Sequence, residues 1–149
     1  MKGEANMGLF DSINVSASGL TAERLRMDTI ADNIANADVT RVQGGNRPYS
    51  RKVPIFSVKK NFSDLLTQSK NNLASGVEVM GISEDPSPFK LVYQPGHPDA
   101  RPDGYVEYPN VDVALEMVDL ISASRSYEAN MTVINDTKSM MQKTLDLSR

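Results

Sequence analysis

The side chains that most often perform catalysis are scarce in this chain. Its 149 residues include one histidine and no cysteine. The histidine, His97, stands in a Pro-Gly-His-Pro turn at residues 95–98, which favours a loop residue over a general base. A zinc site of the usual ligand types and a Ser–His or Cys–His nucleophile pair are therefore not predicted.

Two other catalytic arrangements are weakly supported by the sequence. Gly44-Gly45 lacks the flanking residues of a phosphate-binding loop, and we interpret it as a turn. The acidic residues could in principle supply a carboxylate pair of the glycosidase kind, but they are scattered through turns and helix starts. We therefore expect no enzyme, metal ion or cofactor.

Composition and charge exclude several further classes. The formal net charge of -3 gives no support to a nucleic-acid binder. No apolar run is long enough for a transmembrane helix, and residues 1–12 show no apolar signal-peptide core, so we expect no cleaved signal. Without cysteine, disulfides and thiol chemistry are excluded.

The N-terminal part of the chain carries a heptad pattern of apolar residues. Ile13, Leu20, Met27 and Ile34 lie seven apart, which predicts a helix over residues 9–38 with one buried seam. Residues 1–8 are expected to form a flexible lead. Gly19 inside the helix costs about 1 kcal/mol relative to Ala, which is tolerable if a neighbouring helix approaches closely there.

The C-terminal part repeats this pattern and predicts a second long helix over residues 111–149, with Asp112 as its cap. Most intervening seam positions fall to Met117, Met131 and Leu145. The heptad residues of this helix are Val113, Leu120, Tyr127, Ile134 and Met141. Because neither helix can bury its seam alone, the two pair within one molecule, pair with other molecules, or do both.

Residues 39–110 between the helices have a different character and contain all eight prolines. Runs rich in Val, Ile, Tyr and Phe between turn residues predict strands at Tyr49–Val58, Val77–Ile82, Phe89–Tyr93 and Tyr105–Tyr108. A helical turn is expected near Phe62–Gln68. The predicted fold is α+β and mainly α: two long terminal helices form an antiparallel coiled-coil-like hairpin with a small β-rich insertion.

Charge is unevenly distributed over the insertion. Residues 39–63 contain six basic side chains and no acidic one, whereas residues 77–119 are strongly acidic. Such an imbalance is most often solvated surface. The alternative is that the two regions meet, either within the domain or between stacked copies, which would make association dependent on salt.

Several stretches together resemble a known family. SASGLTAERLRMDTIADNIANA, ending at Ala37, resembles the N-terminal signature of the bacterial flagellar rod and hook axial proteins. DGYVEYPN at residues 103–110 and SRSYEAN at 124–130 are similar to the proximal rod subgroup of that family. The chain departs from the family pattern at Ala37-Asp38-Val39, where Asn-Thr-Thr is common, and in its MKGEAN lead. The polar residues that match signature positions are Asn33, Asn36, Arg125 and Asn130, together with Tyr127.

The resemblance implies a structural subunit located in the flagellar basal body. Such subunits leave the cell unfolded through the flagellar type III export apparatus and assemble helically with other rod proteins, so that torque passes along the rod. The implied partners are further copies of the chain, other rod proteins, a rod-to-membrane-ring junction protein and the export apparatus. The terminal helices would form the inner layer of the rod, and the heptad residues of both helices would be its subunit interface.

Two other classes are open at this point. A soluble helical adaptor or an export chaperone of the flagellar system would use the same seams to bind one partner in a finite complex. A wall-cleaving hydrolase would need an acidic residue whose replacement abolishes turnover without unfolding the chain.

Overall fold

A computed structural model describes residues 9–42, 45, 47–59 and 76–147, and the expected lead and helical turn lie outside these ranges. The first element is helix α1 (Leu9–Ala35). It ends where Asn36 bonds back to Asp32, both through its backbone N–H at 3.1 Å and through Nδ2 at 2.7 Å. The next backbone N–H, that of Ala37, bonds to the carbonyl of Ile34 at 3.3 Å, three residues back, and the chain leaves α1 in a turn at residues 36–38.

The last element is helix α2 (Val113–Leu147). Asp112 caps it as expected, because its Oδ1 accepts from the backbone N–H of Ala114 at 3.0 Å and of Leu115 at 3.4 Å. The contacts of α1 with α2 include Arg26 to Asp119 at 3.5 Å and Asn33 to Glu116 at 3.1 Å. Since the residue number rises along α1 as it falls along α2, the two helices are antiparallel.

Two small antiparallel sheets separate the helices in sequence. Strands β1 (Lys52–Val58) and β2 (Val77–Glu84) form one. Pro54 lies in β1, and a two-stranded sheet can accommodate a proline because each of its strands has an open edge. The other sheet pairs β3 (Lys90–Tyr93) with β4 (Tyr105–Tyr108).

The β3–β4 sheet has one face toward the interior. Val92 pairs with Val106 across the ladder, and Val106 is fully buried. The connection closes at Gly104, whose φ of +80° suits glycine, and a Cβ there would lie 2.8 Å from the Tyr93 ring. The opposite face, with Tyr93 and Tyr105 in edge contact at 5.3 Å, is exposed.

Contacts divide the chain into two compact units, and each helix contributes to both. Unit 1 comprises the described residues of 1–25, 56–80 and 123–149, with Ala22 and Ala123 buried in it. Unit 2 comprises 26–55 and 81–122, and its buried apolar residues are Ile30, Tyr49, Val106 and Val111.

The predicted fold class is confirmed: two long terminal helices enclose, in sequence, an insertion of short strands. The domain boundaries after residues 8, 38 and 110 stay predictions, because the compact units cut across both helices. None of the described helices is long and apolar enough to cross a membrane.

Candidate functional site

With one exception, the heptad residues predicted as a seam and subunit interface are half-buried. Ile13, Leu20, Met27 and Ile34 on α1 are half-buried. On α2, Val113 is exposed, and the other four predicted positions are half-buried: Leu120, Tyr127, Ile134 and Met141. Within a single chain these side chains thus keep part of their surface in solvent, and their role between subunits stays a prediction.

The most deeply buried line of α2 lies three residues further along each heptad. It consists of Glu116, Ala123, half-buried Asn130 and Thr137. The apolar residues expected at intervening seam positions, Met117, Met131 and Leu145, are exposed instead. A helix approached closely by a neighbour needs small or hydrogen-bonded side chains on the contact line, and this requirement takes precedence over apolar character here.

Gly19 lies at such a close approach in unit 1. A Cβ built on it would stand 2.9 Å from Nδ2 and 3.3 Å from Cγ of Asn130. A helix does approach Gly19 closely, and the approaching residue is the signature residue Asn130 on α2.

A polar cluster in unit 2 centres on Asn33, which is 1% exposed. Its Nδ2 donates to the carbonyl of Lys52 at 2.9 Å and to Oε2 of Glu116 at 3.1 Å. Its Oδ1 accepts from the N–H of Lys52 and from the hydroxyl of Tyr49, both at 2.9 Å. All four bonding positions of the amide are used, so burial leaves no polar atom of the group unsatisfied.

Glu116 brings a charge into this cluster. Its side chain is 1% exposed, and its Oε1 accepts from Nε of Arg51 at 2.6 Å. Arg51 also faces Asp85 at 3.5 Å and Asp119 at 3.7 Å. The guanidinium of Arg51 donates to one oxygen of this carboxylate, and the amide of Asn33 donates to the other. Both oxygens of the buried charge therefore have a hydrogen-bond donor.

Asn110 ties the same cluster to the strands. Its Oδ1 accepts from the N–H of Arg51 at 2.8 Å, and its Nδ2 donates to the carbonyls of Asp85 and Ser87, each at 3.1 Å. The side chains of Asn33 and Asn110 thus bond to the backbone at the start of β1. They satisfy backbone N–H and carbonyl groups that have no neighbouring strand as a partner. We call Asn33, Tyr49, Arg51, Asn110 and Glu116 the polar cluster.

The cluster shifts the ionisation of its members. Burial raises the pKa of Tyr49, and the carboxylates of Asp32, Glu116 and Glu84 act in the same direction. Burial alone would lower the pKa of Arg51, but the bonds and charges of Glu116 and Asp85 outweigh it and raise the pKa. Two hydrogen bonds from Ser87, with Arg51 nearby, lower the pKa of Asp85.

The basic and acidic regions of the insertion meet inside unit 2. Arg41 pairs with Asp99 at 2.8 Å, and Arg47 pairs with Glu84 at 3.3 Å. Arg51, in the cluster, adds a third pair between the two regions. The charge imbalance is therefore more than solvated surface, although the exposed pair of Arg47 with Glu84 contributes little stability.

The signature residues have different environments. Asn33 is in the polar cluster and Asn130 faces Gly19, whereas Asn36 bonds only locally and Arg125 is exposed. The apolar pattern gave no indication of Arg51 or Tyr49, which lie in the insertion. Asn110 belongs to the DGYVEYPN motif, so the resemblance could have indicated it.

No group of three or more His, Asp or Glu side chains in the described ranges could hold a metal ion. The polar cluster holds α1 and α2 in a fixed position relative to the start of β1 inside unit 2. The site is therefore a structural junction with long helix faces beside it.

Family comparisons agree with that architecture. Residues 13–43 match the family described as "Flagella basal body rod protein". Residues 103–147 match the family described as "Flagellar basal body rod FlgEFG protein C-terminal". The chain belongs to the flagellar basal-body rod proteins.

Within that class, the chain is similar to proteins named "Flagellar basal-body rod protein FlgC". The protein of Bacillus subtilis (strain 168) is 49% identical over 150 residues, covering 96% of this chain and 100% of the relative. That of Borreliella burgdorferi is also 49% identical, covering 93% and 97%. That of Salmonella typhimurium is 42% identical, covering 96% and 100%.

Proposed function

We propose that this chain is a structural subunit of the flagellar basal-body rod. One observation beyond family membership supports an assembled state most directly: six apolar residues are buried, whereas twenty-two large apolar side chains are exposed among the described residues. A chain that leaves so many large apolar side chains at least partly in water is suited to burying them against neighbours.

In the finer form of this proposal, the subunit belongs to the proximal rod. It assembles helically with copies of itself and with other rod proteins, so that laterally packed helices transmit torque. Its further partners are the rod-to-membrane-ring junction protein and the type III export apparatus. It needs no cofactor and catalyses no reaction, and nucleic acid is not a partner.

The half-buried heptad residues would be completed by neighbours. Leu120, Ile134 and Met141 each keep part of their surface free in the single chain. In the rod, this free surface would pack against helices of adjacent subunits, as in a coiled coil with more than one partner.

The test is removal of the chain from its parent cell, followed by electron microscopy of purified basal bodies. We expect the membrane rings to remain and the rod to be absent, and restoring the chain should restore the rod. Complete rods in its absence would refute the proposal. The adaptor or export-chaperone alternative would then be tested by capture of a finite complex.

A further inference from the structure

The first ten residues of α2 expose a continuous apolar surface in unit 2. We call it the α2 patch, and its residues are Val113, Leu115, Met117, Val118 and Ile121. Leu115 and Val118 are each 64% exposed. The only charged side chains along residues 113–122 are Glu116, which is buried in the polar cluster, and Asp119. Large contiguous apolar patches on a protein surface mark contact sites.

A groove of about 340 Å³ beside this patch has an acidic rim. Leu115 and Val118 form its apolar side, and its other lining residues include the carboxylates Asp85, Asp112 and Asp119. The guanidinium that shares the groove, Arg51, is already bound by Glu116. The groove therefore suits an apolar surface that carries a positive charge at one end.

The first half of α1, in unit 1, exposes a face on which small side chains are followed by a positive charge. We call it the α1 stripe, and its residues are Phe10, Asn14, Ala17, Thr21 and Arg24. At spacings of three and four residues they share one helix face. All five are exposed, and the remaining residues of α1 up to Leu25 whose side chains the structure describes are buried or half-buried. The stripe contains no acidic residue, and its single charge is that of Arg24.

We propose that the α2 patch binds the α1 stripe of a second copy of this chain. The small side chains Ala17 and Thr21 let the helix backbone approach the large aliphatic side chains of the patch, while Arg24 reaches the acidic rim. This proposal rests on the proposed function, because it names the partner of the apolar surface that the rod would bury.

The charges also select the direction of packing. Asp119 already faces Arg26 at 3.5 Å and Arg51 at 3.7 Å, whereas Asp112 has no ion pair within the described ranges. Placing Arg24 opposite Asp112 puts Thr21 opposite Leu115 and Ala17 opposite Val118, with the two helices antiparallel. The contact joins different surfaces of two copies, so it is heterologous and can repeat along an open helical assembly.

The absence of cysteine makes a direct test possible. Two differently tagged alleles, one with Ala17→Cys and one with Val118→Cys, are expressed together in place of the natural gene. Basal bodies are purified and oxidised, and disulfide-linked pairs carrying both tags are measured. The control replaces Ala17→Cys by Ala31→Cys, an exposed alanine about 21 Å further along α1 on the same face.

We expect mixed-tag pairs with Ala17→Cys and none above background with Ala31→Cys. Adding Arg24→Glu should lower the yield about tenfold, and Arg24→Lys should leave it unchanged. If a cysteine variant fails to build rods, the measurement is repeated with Thr21→Cys and Leu115→Cys, which lie about one helical turn away from the first pair of sites.

Two results would overturn the inference: equal yield in the control, or pairs formed only between identical variants. The presence of both tags in purified rods is recorded separately. Tags in the rod without mixed pairs refute this contact but leave the proposed function intact, whereas absence of tags from the rod contradicts the proposed function itself.

Discussion

Asn33 on α1 pairs with the backbone of Lys52 as a neighbouring strand would, accepting from its N–H and donating to its carbonyl, each at 2.9 Å. The side-chain amide thus satisfies both polar backbone groups of the first residue of β1. A helix and a strand are joined by hydrogen bonds at this point, where apolar packing would leave those groups without partners.

Replacing Asn33 by Ala removes this junction, and we expect the free energy of unfolding to fall by about 2–4 kcal/mol, since several buried groups lose a partner at once. Urea denaturation of the purified chain measures it. The matched control is Asn36→Ala, because the side chain of Asn36 makes a single exposed bond, to the carbonyl of Asp32. That variant should lose at most about 1 kcal/mol. Equal losses in the two variants would contradict the role given to Asn33.

The Arg51–Glu116 pair is predicted to be strongly coupled. Glu116→Gln should cost about 3 kcal/mol, because it leaves the Arg51 charge partly uncompensated and turns an amide donor toward either Asn33 or Arg51. In a double-mutant cycle with Arg51→Met, we expect a coupling energy above about 1 kcal/mol. The pair of Arg47 with Glu84, in which both side chains are more than half exposed, is the control, and its cycle of Arg47→Met with Glu84→Gln should give less. A coupling no larger than that of the control would show that the buried pair is dispensable.

The two helices show most clearly what can be predicted from the sequence and what cannot. The heptads of α1 and α2 predicted both helices, because apolar spacing depends on burial of one face and on little else. The same rule selected Met117, Met131 and Leu145 as seam positions, and these are exposed. The buried line of α2 contains polar and small residues that only the close approach of another segment explains, and such an approach is a tertiary property.

The polar cluster could not be predicted from the sequence, for a related reason. Arg51 and Glu116 are 65 residues apart, and each has an ordinary local environment: a basic run for one and a helix start for the other. Their pairing depends on how the insertion folds back against α1 and α2 within unit 2. In contrast, the capping role of Asp112 is local, and the sequence predicted it correctly.

Tyr49 should make stability fall at high pH. Its pKa is raised in the folded chain by burial and by nearby carboxylates, so the protonated hydroxyl stabilises the fold. The stabilisation is complete below the unfolded-state value of about 10 and is lost as the pH rises through the higher folded-state pKa. The free energy of unfolding is measured by urea denaturation between pH 8 and 11, about the range over which tyrosine begins to ionise. It should fall more for the natural chain than for Tyr49→Phe.

The control for this titration is Tyr93→Phe, since the Tyr93 side chain is largely exposed. Parallel curves for all three proteins would mean that Tyr49 ionises as freely when folded as when unfolded, contrary to its buried bond to Asn33.

Gly19 and Asn130 provide the last prediction, which concerns the close helix approach in unit 1. In an unobstructed helix, Gly→Ala stabilises by about 1 kcal/mol. Here the new methyl group would meet Nδ2 of Asn130 at 2.9 Å, so Gly19→Ala should give no net stabilisation. In an Asn130→Ala background the obstruction is gone, and the same change should stabilise by about 1 kcal/mol. Thermal or urea unfolding of the four proteins gives the coupling, and Asn135→Ala, an exposed asparagine on the same helix, replaces Asn130→Ala as the control. If Gly19→Ala stabilised equally in all backgrounds, the glycine would not be required by the approach of α2.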